Sequence, residues 1–149
     1  MARVRRRRGR VQLQLDSDER TAIRDIVDEL SPLLGHVSRT APVAYADEEM
    51  EREYDHWVRP EIDRGRDADL SVIRDCLDSG EDISPLTEEQ TLAWVRGLNH
   101  LRLAAGALLG VEQDGWELSP DSALRDKPEF RVLLALGYLQ EELIAALES

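Results

Sequence analysis

Few side chains in this sequence have the type and spacing to do chemistry, and each has a plain structural reading beside the functional one. Cys76 is the sole cysteine. It lies in a helical pattern with Asp75 and Asp78 close by, and acidic neighbours disfavour the reactive thiolate. It reads as a small packing residue, with thiol capping or an intermolecular disulfide as its redox alternative. Glu53 and His56 form Glu-x-x-His, a spacing that di-iron helical bundles use twice, together with two further glutamates. No second pair occurs, and His36 and His100 stand at no ligand spacing, so no metal is expected. There is no glycine-rich phosphate loop, no Ser/His/Asp set and no zinc motif. Catalytic residues, cofactors and enzyme activity are therefore not expected.

Charge is the stronger signal. Arg3, Arg5, Arg6, Arg7, Arg8 and Arg10 fall within the first ten residues, which hold no acid. The other 139 residues then carry 13 bases against 31 acids, within a net formal charge of −12. A disordered basic arm over 1–10 is the expectation, since it offers almost nothing apolar to bury. Such an arm can contact nucleic acid non-specifically, each neutralised phosphate adding about one unit of salt slope, or fold back over the acidic body. Phosphate contacts position a protein without reading sequence, and a body this acidic repels a nucleic-acid backbone. Residues 101–111 look like the first half of a helix-turn-helix, but the acidic EQDGWELSPD that follows, broken by Gly115 and Pro120, leaves no reading helix.

One polar pair stands on an otherwise apolar helix. Asn99 and Arg102 are three residues apart on its flank, and Arg102 borders the apolar stripe. A buried structural pair is expected, with Glu141 or Glu142 as the partner of Arg102. Gly106, one turn further on, marks the place where a neighbouring backbone could come close.

The elements that must position these residues follow from periodicity and caps. Val11, Leu13 and Leu15 alternate with Gln12 and Gln14, which predicts a strand. Asp16 with Glu19 is a capping box. It opens a helix with Ala22, Ile23, Ile26, Val27, Leu30 and Leu34 on one face, stopping near Gly35. Residues 38–46 read as a loop. A second helix starts at Asp47 and carries Met50, Tyr54, Trp57 and Val58 until Pro60 disturbs it. A third runs from about Ala68 to Leu77, with Leu70 and Ile73 inward, and residues 78–86 read as a loop. Thr87 with Gln90 opens a long helix to Leu109, terminated by Gly110, with Trp94, Leu98, Leu101, Ala105 and Leu108 as its stripe. Asp126, Glu129 and Pro128 open the last helix, with Val132, Leu136, Leu139, Leu143 and Leu147 in line. Residues 115–119 could form a short strand against 11–15.

The expected fold is mostly α, about five helices with a minor β element near the N-terminus, residues 11–149 forming a single helical domain. That length buries a core without disulfides or metals. Helices this widely apolar belong in a core or in an oligomer interface, so a homo-oligomer stays open. A lone cysteine fits a reducing compartment. The basic start runs into VQLQLDSDER rather than an apolar stretch, and no uncharged run reaches the ~20 residues of a membrane span. A cytoplasmic protein without membrane contact is expected.

The segments Leu-Asn-His-Leu-Arg-Leu at 98–103, Leu-Leu-Gly-Val at 108–111 after Gly106, and Tyr-Leu-Gln-Glu-Glu-Leu at 138–143 resemble an actinobacterial domain family, long of unknown function and named for the oxidative-stress transcription regulator AosR. The basic start leading to a strand and Pro-Val-Ala-Tyr at 42–45 are similar to it too, so the resemblance spans nearly the whole chain. It implies a regulator of redox homeostasis that works through protein–protein contact with a sigma factor or RNA polymerase. The genes of that family commonly lie beside a protease adaptor and cysteine-synthesis genes, which keeps open a non-enzymatic adaptor or scaffold in proteolysis or sulfur metabolism. Two departures stand out. His100 replaces an acid, and the lone Cys76 rules out any switch built on an intramolecular disulfide. An acidic body suits a basic protein surface better than bare DNA.

Overall fold

The alternation of Val11 and Leu13 with Gln12 and Gln14 becomes the middle strand of a three-stranded antiparallel sheet in the computed structural model, which describes residues 3–40, 48–109 and 128–148. Strand β1 is Arg3–Arg7, β2 is Arg10–Gln14 and β3 is Ile83–Leu86, in the order β1-β2-β3. Two expectations change here. Residues 3–10 form a hairpin instead of a disordered arm, and the segment read as a loop over 78–86 contains a strand.

The hairpin has a physical basis that counting apolar residues misses. Arg8 and Gly9 both take positive φ, 54° and 77°. Two such residues make the tight turn whose twist matches paired strands. The register runs from Arg7 opposite Arg10 to Arg3 opposite Gln14. Side chains alternate between faces, so Val4 and Arg6 share the inner face, and Val4 packs against the core. Arg3, Arg5 and Arg7 take the outer one.

Strand β3 pairs Leu86 with Val11 and Ile83 with Gln14. Leu86 is buried, and Pro85, which has no N–H to give, sits on an edge strand where that loss is tolerated. Both sides of β2 are therefore occupied, by β1 and β3. The strand foreseen at 115–119 lies outside the described residues.

Five helices are described. Helix α1, Ser17–Thr40, opens on the expected capping box: the Glu19 N–H donates to Asp16 Oδ1 at 2.8 Å and the Asp16 N–H to Glu19 Oε1 at 3.1 Å. It runs past Gly35, with Pro32 inside it. Helix α2 is Glu48–Trp57, and its Met50 and Trp57 are exposed. Pro60 does not merely end it. It lies in the first turn of α3, Arg59–Asp78, which begins well before Ala68. Helix α4, Glu88–Leu109, has the reciprocal Thr87–Gln90 cap at 2.9 and 3.1 Å. Helix α5 is Pro128–Glu148. Gly110 and Asp126, foreseen as a stop and a cap, lie outside the described residues, as does the side chain of Leu108.

Helix α4 is the axis of the domain, packed by α1, α3, α5 and the sheet. Trp94, Leu98 and Leu101 are fully enclosed there, against Leu136, Leu139 and Leu143 of α5 and Ile73 of α3. No helix among the described residues is long and apolar enough to cross a membrane.

Candidate functional site

The six arginines of the N-terminal segment divide into two groups. Arg6, though exposed, reaches the end of α5, where its Nη1 donates to the carbonyls of Ala146 and Leu147 at 3.3 and 3.2 Å. These are carbonyls of the last turn of α5, where the helix dipole favours a cation. Arg6 thus fastens the hairpin to the helical body. Arg3, Arg5, Arg7 and Arg10 are exposed, and the register sets them beside Gln12 and Gln14 on one face of the sheet. Arg8 is exposed in the turn. The result is a fixed basic surface on a strongly acidic domain.

Asn99 and Arg102 are not a buried pair. Asn99 is exposed, while Arg102 is half-buried and reaches α5. There its Nη1 donates to Gln140 Oε1 at 2.6 Å, and Gln140 Nε2 donates back to the Val95 carbonyl at 3.1 Å. The partner across the joint is the buried Gln140 rather than Glu141 or Glu142, because Gln140 lies next to Leu139 on the inward side. The guanidinium packs over Gly137, where a Cβ would lie at ordinary contact distance, 3.5 Å from Arg102 Nε. The close backbone approach expected at Gly106 is not found; the tight contact is at Gly97, and it is with a side chain, where a Cβ would meet Ile73 Cδ1 at 2.5 Å. Nothing lies within 4 Å of one at Gly106.

A charged cluster between α3 and α4 was missed from the sequence. Asp69 is 7% exposed and accepts two parallel hydrogen bonds from Arg96, Nε to Oδ2 at 3.1 Å and Nη2 to Oδ1 at 3.0 Å. That fork is the strong geometry for a guanidinium and a carboxylate, and it raises the Arg96 pKa. Arg66 bridges Asp63 at 2.9 Å one turn earlier. His100 is half-buried nearby: burial holds its pKa below the ordinary value, Asp69 opposes that, and the charges of Arg66 and Arg96 assist it. A signal existed, because Asp69 stands four residues before Ile73 on the inward stripe of α3. An acid in that position calls for a cation from the neighbouring helix. The cluster clamps two helices beside the half-buried His100 imidazole.

Cys76 is half-buried on α3 and borders a cavity of about 300 Å³ shared with Val72, Asp75, Ser79 and Ser84. Burial pushes its thiol pKa up, and the nearby Ser84 hydroxyl and Trp94 indole pull it back. The thiolate is disfavoured as expected, but burial is the cause rather than Asp75 and Asp78. Glu53 and His56 are exposed on α2, where the imidazole meets the Trp57 ring edge-on at 4.7 Å. The described residues contain no group of three or more His, Cys, Asp or Glu placed to hold a metal. The side chain of His36 lies outside the described ones.

No curated protein and no solved structure matches this chain. The model of one protein family, described as a domain of unknown function (DUF2017), matches residues 1–147. With that match running over nearly its whole length, the chain belongs to the DUF2017 family.

Proposed function

We propose that this domain is a non-enzymatic regulator that acts by protein–protein contact in the transcriptional response to oxidative stress, with a sigma factor or RNA polymerase as its partner in the cytoplasm. The observation that carries the reading is the division of charge: an exposed basic sheet face on a body with 13 bases against 31 acids. Complementary potentials steer protein encounters and select partners, and a surface divided in this way can engage a basic and an acidic partner at once. The resemblance to the AosR-like regulators supports the transcriptional part. The motifs behind it, residues 98–103 and 138–143, hold Leu101, Arg102, Leu139, Gln140 and Leu143, which form the α4–α5 joint. Those motifs maintain the scaffold, and the exposed charged faces do the recognising. With Cys76 as the only thiol, redox control enters through the partner or through an intermolecular bond.

The test is affinity capture of the tagged protein from its native host, with and without peroxide, scoring sigma factors, RNA polymerase subunits and protease components together. Recovery of a sigma factor or polymerase, reproduced with purified proteins, is the expected result. Recovery of protease or sulfur-metabolism components alone would replace this reading with the adaptor one.

A further inference from the structure

We propose that the outer edge of β1 is a docking site for an extended acidic segment of a partner protein, which joins the sheet as a fourth strand. The inference stands whether or not that partner belongs to transcription.

In the order β1-β2-β3, β1 has a strand neighbour on one side only among the described residues. The two-residue turn at Arg8 and Gly9 makes Arg7 and Arg10 the hydrogen-bonded pair that closes the hairpin. Hydrogen-bonded and non-bonded pairs alternate along an antiparallel ladder. The N–H and C=O groups of Val4 and Arg6 therefore point away from β2, along the outer edge. Such a row of donors and acceptors is a template for another strand. It is also held in place, by Val4 packed against the core and by Arg6 on the α5 carbonyls, so little ordering is left to be done on binding.

The side chains specify the charge of the occupant. Arg3, Arg5 and Arg7 project from one face at steps of about 6.7 Å, two residues of strand rise. An added strand places every second side chain on that same face at the same step, so acids at alternate positions lie beside the three arginines. A second copy pairing β1 to β1 would set arginine against arginine, which directly opposed strands disfavour. Nucleic acid fits less well, because phosphate oxygens can accept from the edge N–H groups but have no donor for the edge carbonyls. A duplex also brings its second charged backbone toward an acidic body.

The test uses the full chain and a fluorescein-labelled peptide of alternating glutamate and valine, seven residues long, read by anisotropy, with amide exchange of Val4 and Arg6 followed by NMR. Two further peptides carry N-methyl groups, one on the glutamate amides and the other on the valine amides. Only one set of amides faces β1 in an added strand. One methylated peptide should lose at least about tenfold in affinity, the step made by losing roughly 1.4 kcal/mol, and the other should bind like the parent. Exchange at Val4 and Arg6 should slow on binding. The triple variant Arg3→Gln, Arg5→Gln, Arg7→Gln should weaken the parent peptide about tenfold at low salt. If that variant unfolds, the two methylated peptides on the wild-type chain decide. Equal binding of both methylated peptides, no binding of the parent, or tighter binding of a single-stranded or duplex oligonucleotide at the same salt would each overturn the proposal.

Discussion

Gly97 offers the sharpest test of how α4 is seated, because one methyl group decides the sign of the effect. A Cβ at position 97 would lie 2.5 Å from Ile73 Cδ1, but its next neighbours, Ile73 Cγ1 at 3.6 Å and the Asp69 carbonyl carbon at 3.8 Å, are at ordinary contact distance. Ile73 is fully buried, so its terminal methyl has little space to retreat into. Gly97→Ala gains about 1 kcal/mol of helix propensity and incurs ~1–3 kcal/mol of overpacking. The net should be a loss of about 1 kcal/mol. Ile73→Val alone should lose ~0.5–1.5 kcal/mol, yet it removes the offending methyl. In that background Gly97→Ala should stabilise, by about 1 kcal/mol from propensity alone. The two substitutions should therefore couple by about 2 kcal/mol, well beyond the ~0.5 kcal/mol scatter of independent sites. Urea titration of the four proteins, followed by circular dichroism and tryptophan fluorescence with m held constant, reads this directly. If Gly97→Ala has the same sign and size in both backgrounds, the contact does not govern the helix spacing and the reasoning fails.

Three further outcomes are expected. Trp94→Ala should destabilise by roughly 3–5 kcal/mol, since the indole is fully buried; a change below half a kcal/mol in a denaturant titration would place it at a surface instead. Removing residues 1–10 should lower the melting temperature by at least about 4 °C, given ~2–4 °C per kcal/mol at this size, because Val4 and the Arg6 bonds to α5 are lost with it; an unchanged value in a thermal scan would show an undocked segment. Burial holds the His100 pKa below its ordinary 6.5, so the unfolded chain takes up its proton first as the medium acidifies. The stability contributed by the neutral imidazole is therefore complete above about pH 6.5 and is lost as pH falls through the lower folded value. Between pH 7.5 and 5 the wild type should lose more stability than His100→Gln, and parallel curves for the two would count against it.

Local rules were legible wherever one short motif decides the outcome. The Asp16–Glu19 and Thr87–Gln90 caps form as their spacing indicates, and Trp94, Leu98, Leu101 and Ala105 of α4 with Leu136, Leu139 and Leu143 of α5 fill the core, Val132 and Leu147 staying partly exposed. The errors arise where a neighbour distant in sequence decides. Ile83–Leu86 is a strand only because β2 lies beside it, since Pro85 and the flanking acids read as loop on their own. Arg3–Arg7 needs the α5 carbonyls and the left-handed Arg8–Gly9 turn, neither of which hydrophobic periodicity reports. The first half of α3 has almost no apolar face, so periodicity marks its helix only from Ala68 onward. Charge alone points Arg102 to Glu141 or Glu142, although the inward-facing side chain on α5 is the amide of Gln140. The charge division was fully visible, but whether its basic half was rigid was not.

The position of β3 in the chain sets an order of assembly. The β1–β2 hairpin is made first, yet a lone hairpin is marginal in water, and its third strand emerges only after α1, α2 and α3. The α5 carbonyls that anchor Arg6 come later still. At about 5–20 residues per second of synthesis, the hairpin waits several seconds with both outer edges bare. Neighbouring chains on one message would then present like edges to one another. The arginine run makes the β1 edges mutually repulsive during the interval, so the same residues that mark the finished surface also guard that side of the nascent chain until the helices close over its inner face.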